Sequence, residues 1–262
     1  MEHATLNPGT REASDAPALD RGLALLEALT SSQHGMTLTE LSTAIGSPKN
    51  STSRLIQTLL VRDYVVRDDA TMRIRLTGKL LRLGQPKVRG VSLVECALER
   101  MRALRDSVQE TVQLGISIGD EGVVIEKVES NRPARIGVDI GLRFKLYNNA
   151  PGKVFLAFQT PKERERVISR LKLERSTDFT ILNKESLRKE CDHVMERGYA
   201  TDAGEADEGI HCVAAPIRDR ADSLVAALWV SGIAGLMPKS KFSAVAVEVI
   251  SAASAIERKL RS

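Results

Sequence analysis

The chain has 262 residues, 42% apolar and 27% charged, an ordinary globular composition sufficient for one large domain or two modest ones. Five Phe, three Tyr and one Trp are too few for the aromatic platforms on which RNA or single-stranded nucleic acid stacks. Cys96, Cys191 and Cys212 lie far apart without a CxxC pair, and no apolar run approaches the roughly 20 residues of a spanning helix; a cytoplasmic protein with no membrane partner is expected.

The net charge of +4 is unevenly placed. Between Ser47 and Gly90 ten Lys/Arg stand against three acids, whereas from Glu110 onward 23 basic residues meet 22 acidic ones. A basic block on a near-neutral body fits a polyanion-binding module joined to a domain with another task. A solvated basic surface is the plainer alternative.

In chain order, residues 1–17 are polar and aperiodic and read as a disordered arm. A helix follows from Ala18, with Leu19, Leu23, Leu26 and Leu29 on one face. Thr37-Leu-Thr-Glu40 has the form of a capping box and opens a short helix burying Leu38, Leu41 and Ile45. Gly46 supplies the turn, Ser47 the next cap and Pro48 the first position of a third helix reaching about Arg62. That helix is expected to bury Thr52, Leu55, Ile56 and Leu59. Strands at Tyr64–Arg67 and Arg73–Thr77 flank a polar turn. Helix, helix, turn, helix, hairpin is the order of a winged helix-turn-helix, here spanning 18–84.

Residues 85–109 read as a linker helix. Val94, Ala97 or Leu98, Met101, Leu104 and Val108 form a short near-heptad seam, packing on a partner's copy or on its own domain. Over 110–262 the pattern turns to strands at Thr111–Ile118, Val123–Val128, Ala134–Ile140, Ile210–Ile217 and Leu224–Ser231. Helices fit Pro151–Phe158, Lys162–Leu173, Lys184–Arg197 and Ser240–Lys259. With no regular βαβ alternation, an α+β domain with a mainly antiparallel sheet is expected.

A major groove admits one helix, whose first turns face the base edges. The third helix offers Pro48, Lys49, Asn50, Ser51, Thr52, Ser53, Arg54 and Gln57. Lys and Arg donate to guanine, and Asn and Gln pair with adenine. Ser51 and Thr52 lie near the helix start, where backbone amides favour phosphate. On the hairpin, Arg67, Arg73 and Arg75 are placed to reach phosphates or the minor groove, and Arg21 of the first helix joins the candidate set. The plainer reading is a helical hairpin used for packing. For catalysis there is no GxSxG, HExxH or P-loop. His3, His34, His193 and His211 lack metal spacing, and Gly204–Gly209 lacks the ligand pattern of a calcium loop. No catalytic residue, metal or cofactor is expected.

The segment Leu41–Leu60, with Thr52, Arg54, Leu55 and Leu59, resembles the recognition segment of the IclR family of bacterial regulators. Further matches are Glu110-Thr-Val-Gln-Leu114, Gly152-Lys153 with Phe155-Leu-Ala157, Gly198-Tyr199, and Gly209-Ile-His-Cys-Val-Ala-Ala-Pro-Ile217. They are ordered along the chain from about Leu19 to Leu260. The resemblance implies a GAF-like effector domain that binds small carboxylates or aromatic acids, in a homodimer or homotetramer on double-stranded DNA. Carried over by position, the implied effector residues are Ile136, Tyr147, Ala150, Pro151, Asp202, Ile210, Cys212, Trp229 and Ser231. Three positions depart from the family pattern. Pro151 offers no backbone N–H. Trp229 brings a large ring where a small Ser is common, able to shrink the pocket or stack on an effector. Phe144-Lys-Leu-Tyr147 replaces a segment close to PLH, so Tyr147 adds a hydroxyl or a wall. These changes imply that the smallest keto acids do not bind in the usual way. Two other functions stay open from sequence: an enzyme acting on a small acid with an accessory DNA-binding-like domain, and a DNA-binding oligomer without an effector.

Overall fold

The computed structural model describes residues 15–32, 34–84, 86–88 and 90–261. Most of the arm read in 1–17 lies outside the described residues, and its last residue, Pro17, opens the first helix. The chain divides into two compact units, one up to Gly84 and one from Gln85.

In the first unit, helices α1 (Pro17–Thr30), α2 (Leu38–Ala44) and α3 (Lys49–Val61) are followed by strands β1 (Val65–Arg67) and β2 (Ile74–Leu76) and a short α4 (Lys79–Gly84). The capping box forms as its residues dictate. Thr37 Oγ1 accepts from the Glu40 amide and the Glu40 carboxylate accepts from the Thr37 amide at 2.7 Å. Gly46 takes φ +60° between α2 and α3. The expected Ser47 cap does not form. Pro48 is the N-cap, helical geometry starts at Lys49, and Ser47 Oγ is buried without a hydrogen-bond partner among the described residues. Leu25, Leu29, Leu41, Ile56, Val65 and Ile74 make the core. Met36 bridges Ile74, so the backbone ahead of α2 is tied to the hairpin.

The second unit starts with a small ladder, β3 (Lys87–Val88) with β4 (Val91–Ser92), and helix α5 (Leu93–Val108). Strands β5 (Thr111–Ile118), β6 (Glu121–Val128) and β7 (Arg143–Lys145) come next, then helices α6 (Ala150–Ala157), α7 (Pro161–Arg170) and α8 (Lys184–Arg197). Strands β8 (Ala200–Ala203), β9 (Ile210–Arg218) and β10 (Leu224–Ile233) precede the last helix, α9 (Phe242–Arg261). Six strands form one sheet in the order β7-β6-β5-β10-β9-β8, antiparallel at every pairing. This is the α+β class with an antiparallel sheet that the sequence pattern implied.

Period-2 alternation sends neighbouring residues of each strand to opposite faces. Val213, Ala215, Leu228 and Val230 pack with α5 and α9 on one face, while Ala214, Ala227 and Trp229 pack with α6, α7 and α8 on the other. The seam of α5 therefore packs in part within this unit: Leu93, Cys96, Ala97, Met101 and Leu104 are buried. No strand forms over Ala134–Ile140; that stretch is irregular and the edge strand is β7 instead. β8 was not expected; four residues are too few to show a period.

Two close approaches set the helix that matters for function. A Cβ on Gly152 would stand 2.5 Å from the Leu146 carbonyl oxygen, so the first turn of α6 lies against the backbone that precedes it. A Cβ on Gly115 would meet the Val123 oxygen at 2.7 Å and the Trp229 ring at 2.9 Å, so the missing side chain makes the space the indole fills.

Candidate DNA-reading helix and effector site

On α3, Lys49, Asn50, Ser53, Arg54 and Gln57 are exposed, and Thr52 and Ile56 are buried. The 3.6-residue period brings the five polar residues to the face away from the core. None of their side chains has a hydrogen-bond or ion-pair partner among the described residues. Pro48 is exposed at the cap and Ser51 is half-buried. Thr52 requires a correction. It is fully buried, as its place on the core face implied, but its hydroxyl, at 3.1 Å, and its amide, at 3.0 Å, both donate to the Pro48 carbonyl, so neither reaches a base edge or a phosphate. Arg21 is half-buried, with Nε buried and unpartnered among the described residues.

The hairpin arginines divide. Arg67 and Arg75 are exposed, at 3.9 Å from Asp69 and 4.0 Å from Asp68, pairings too long to hold a surface guanidinium. Asp68 itself shapes the turn: Thr71, through its amide and side chain, and then the Ala70 amide hold its carboxyl below the usual range. Arg73 is a second correction. Its guanidinium donates to the Gly35 carbonyl at 2.6 Å and lies 3.4 Å from Glu40, so it braces the hairpin.

In the second unit, strand register makes a transverse polar row on the α6 side of the sheet. Asp202 pairs with Cys212, Cys212 with Ser231, and Ser231 with Thr111. Ser231 Oγ donates to Gln113 Oε1 at 2.8 Å. With that proton committed, the Cys212 thiol is the donor across the 3.1 Å contact to Ser231 Oγ. Burial pushes the Cys212 thiol well above its ordinary range, which makes it a weak donor and polarisable wall and not a thiolate. Thr111 donates to the Ile136 carbonyl at 2.9 Å, which draws the loop of Ile136 to the end of the row.

Asp202 sits at the other end. Its Oδ1 accepts from the Gly204 and Glu205 amides at 3.0 and 2.6 Å. Burial nevertheless outweighs those bonds, and the neighbouring Glu205 charge adds to it, raising the carboxyl to about 7. Beside it, Lys153 of α6 is buried and bonded to the Glu205 carboxylate, with Glu190 at 3.5 Å. Burial raises the Glu205 carboxyl, the Lys153 ammonium opposes that, and Glu205 Oε2 has no partner among the described residues. Thr177 and Thr180 donate to the Gly204 and Glu205 carbonyls at 2.6 and 2.8 Å and fix this loop.

Of the nine effector residues implied by the sequence, Asp202, Cys212 and Ser231 share this row. Ala150 and Pro151 open α6, where Asn149 caps by accepting from the Gly152 amide. Ile136 and Ile210 are half-buried. Two residues stand otherwise than implied. The Tyr147 hydroxyl bonds both the N–H and the carbonyl of Glu174, so it locks a loop. The Trp229 ring turns along the sheet over Gly115 and meets Phe144 edge-on at 5.6 Å, as a core aromatic. Missed from sequence were Gln113, Glu205 and Lys153. For Lys153 there was a signal: it is the single charged residue in the otherwise apolar run of α6. His211 Nδ1–H donates to the Met237 carbonyl at 2.8 Å on the opposite face, apart from the row. Among the described residues no His, Cys, Asp and Glu side chains cluster as metal ligands, and no helix is long and apolar enough to cross a membrane.

A winged helix-turn-helix carried in one chain with an α+β domain defines a class of two-unit DNA-binding regulators. The chain belongs to the IclR family of bacterial transcriptional regulators: residues 85–258 match the family's C-terminal domain and residues 18–69 its helix-turn-helix domain. Similar proteins include the HTH-type transcriptional regulator KdgR of Escherichia coli, 35% identical over 194 residues, which are 74% of each chain. The crystal structure of Thermotoga maritima IclR has a TM-score of 0.78 at 27% identity, covering 94% of this chain and 99% of that one. An IclR homologue from Microbacterium hydrocarbonoxydans, complexed with 4-hydroxybenzoate, has the same fold at 22% identity, with a TM-score of 0.73 over 93% of this chain and 98% of that one.

Proposed function

We propose that this regulator grips double-stranded operator DNA with α3 and the hairpin, and that a small carboxylic or aromatic acid in the second unit shifts its affinity. In this reading 18–84 is the DNA-binding part, 85–109 joins it to the rest, and 110–262 binds the effector and assembles a homodimer or homotetramer in the cytoplasm. No catalytic step and no cofactor enters. The observation that carries the reading is the row of five exposed side chains on α3, unpartnered among the described residues and followed in sequence by Arg67 and Arg75. Side chains kept free of intramolecular partners are available to base edges and phosphates. Arg21 and the backbone amide at Ser51 supply phosphate contacts; the Thr52 amide already donates to the Pro48 carbonyl at 3.0 Å. Arg73 and the Thr52 hydroxyl are left out because each is already engaged.

The effector site is the row Asp202–Cys212–Ser231 beneath the start of α6, walled by Ala150, Pro151, Ile136 and Ile210. With its carboxyl raised to about 7, Asp202 holds a proton near neutrality. It then donates to an incoming carboxylate, a role the N–H missing at Pro151 cannot fill. Tyr147 and Trp229 act as supports behind the site. Effector and DNA affinities are linked reciprocally, by typically about 1–3 kcal/mol.

The test is selection of duplexes from a random pool, then gel shifts on the recovered site with and without a panel of organic acids, 4-hydroxybenzoate included. Enrichment of a (pseudo)palindromic site is expected, with affinity falling steeply in salt. Recovery of no duplex above the salt-sensitive background would overturn the DNA assignment. A panel that binds without changing the shift would overturn the coupling.

A further inference from the structure

We propose that the second unit holds a second small-molecule site, at the opposite end of α6 from the Asp202–Ser231 row, shaped for a small aromatic hydroxy acid. It is a cavity of about 490 Å³ between the C-terminal end of α6, the start of α7 and the β5–β6 and β9–β10 turns. That volume is in the range of small-ligand pockets. Along β10, Leu224 lines this cavity and Ser231 belongs to the row; seven residues at ~3.3 Å each separate them by about 23 Å. The two sites are therefore distinct places on one sheet face.

The lining states what would fit. Phe155, Phe158, Val167 and Leu224 make an apolar wall, and two of them are rings. Three charged side chains stand at the rim: Glu163, Arg166 and Asp222. Glu163 already accepts from the Thr160 hydroxyl at 2.9 Å, and Asp222 is paired with Arg218 at 3.1 Å. The Arg166 guanidinium has no partner among the described residues. Arg166 is thus the charged group at the rim left to meet a ligand carboxylate. Gln159 supplies the third feature. It lines the cavity, and its Oε1, shielded from solvent, has no hydrogen-bond partner among the described residues; a donor on a ligand relieves that state once the side-chain amide turns to the cavity. One ring against the phenylalanines, one carboxylate at Arg166 and one hydroxyl toward Gln159 satisfy all three.

The wall also reaches inward. Phe155 stacks on Phe144 at 6.3 Å, and Phe144 meets Trp229 edge-on at 5.6 Å, two residues before Ser231 on β10. A ligand that moves the Phe155 ring thereby presses on packed aromatics that end beside the row.

Isothermal titration of the full chain with 3-phenyllactate tests the site. Saturable binding is expected, weakened about tenfold or more by Arg166→Gln and equally by esterifying the ligand's carboxylate. Ser223→Trp, which fills the mouth from an exposed turn, abolishes it, while Ser231→Ala leaves it within about twofold. Circular dichroism establishes that each variant is folded. Absence of saturable binding overturns the proposal. So does binding that survives Arg166→Gln and Ser223→Trp but is lost in Ser231→Ala, which would assign the ligand to the Asp202–Ser231 row.

Discussion

The face of α3 and the α6 side of the sheet are both polar, yet they keep their polar groups in opposite states. On α3 the side chains are exposed and unengaged. On the sheet nearly every group is buried and already bonded: Ser231 to Gln113, Cys212 to Ser231, Asp202 to two amides, Lys153 to Glu205. A large partner that brings its own phosphates and base edges is met by free groups at an exposed surface. A small ligand that must be enclosed is met by groups held in place beforehand, since unpaired polar atoms in a closed core are costly. Mutations should therefore separate: on α3 they change binding and spare the fold, and on the row they change the fold first.

The largest effect is expected at Lys153. Lys153→Met removes the ammonium that pairs with the buried Glu205 carboxyl and leaves that carboxyl without its cation, destabilising the chain by about 3–5 kcal/mol in urea unfolding. A change below 1 kcal/mol would show the buried pair to be dispensable and would weaken the contrast. Next is Arg54→Ala, which should lower operator affinity by about 1–3 kcal/mol in gel shifts at fixed salt while the melting temperature stays put. Equal affinity for wild type and variant would remove α3 from the groove.

Asp202 gives an intermediate effect that depends on pH. With its carboxyl at about 7 in the folded chain and near 4 when unfolded, the folded state keeps a proton that the unfolded chain has lost between those values. Stability contributed by this group is complete below pH ~4, falls as pH rises to ~7 and is level above, with a slope of up to about 1.4 kcal/mol per unit. Melts of Asp202→Asn against wild type should show that slope flattened. A wild-type curve that instead rises across the window would reverse the assignment. If an effector carboxylate takes the Asp202 proton as a hydrogen bond, titrations in buffers of different ionisation enthalpy should also show proton uptake near pH 7.5.

The smallest effect divides the hairpin arginines. Arg73→Ala should leave operator affinity within about twofold and slightly lower the urea midpoint, because its partners are Gly35 and Glu40. Arg75→Ala, exposed at 55%, should do the reverse and also reduce the salt dependence.

Much of the first unit was legible because its signals are local. A capping box, a glycine at φ +60° and a 3.6-residue apolar stripe each act within a few residues, and α2 and α3 followed them closely. Where local signals competed, the outcome differed from the expectation: Ser47 and Pro48 both suit a helix start, and the cap falls at Pro48. Thr52 appeared both as a core and as a contact residue, and only its burial decided between them. In the second unit the strands β5, β9 and β10 were clear from β-branched and apolar runs, whereas the loop over Ala134–Ile140, though rich in the same residues, takes no strand partner.

By itself the sequence determined the long helices and the strands β5, β6, β9 and β10, that basic charge gathers in the first unit, and which residues stand in the ordered motifs of the family. Only tertiary structure decided that Asp202, Cys212 and Ser231 form one row, that Trp229 turns away over Gly115, and that Lys153 is enclosed with two carboxylates. Periodicity and capping depend on neighbours along the chain. Register between strands far apart in sequence, and the burial that shifts a carboxyl, depend on the whole packed core.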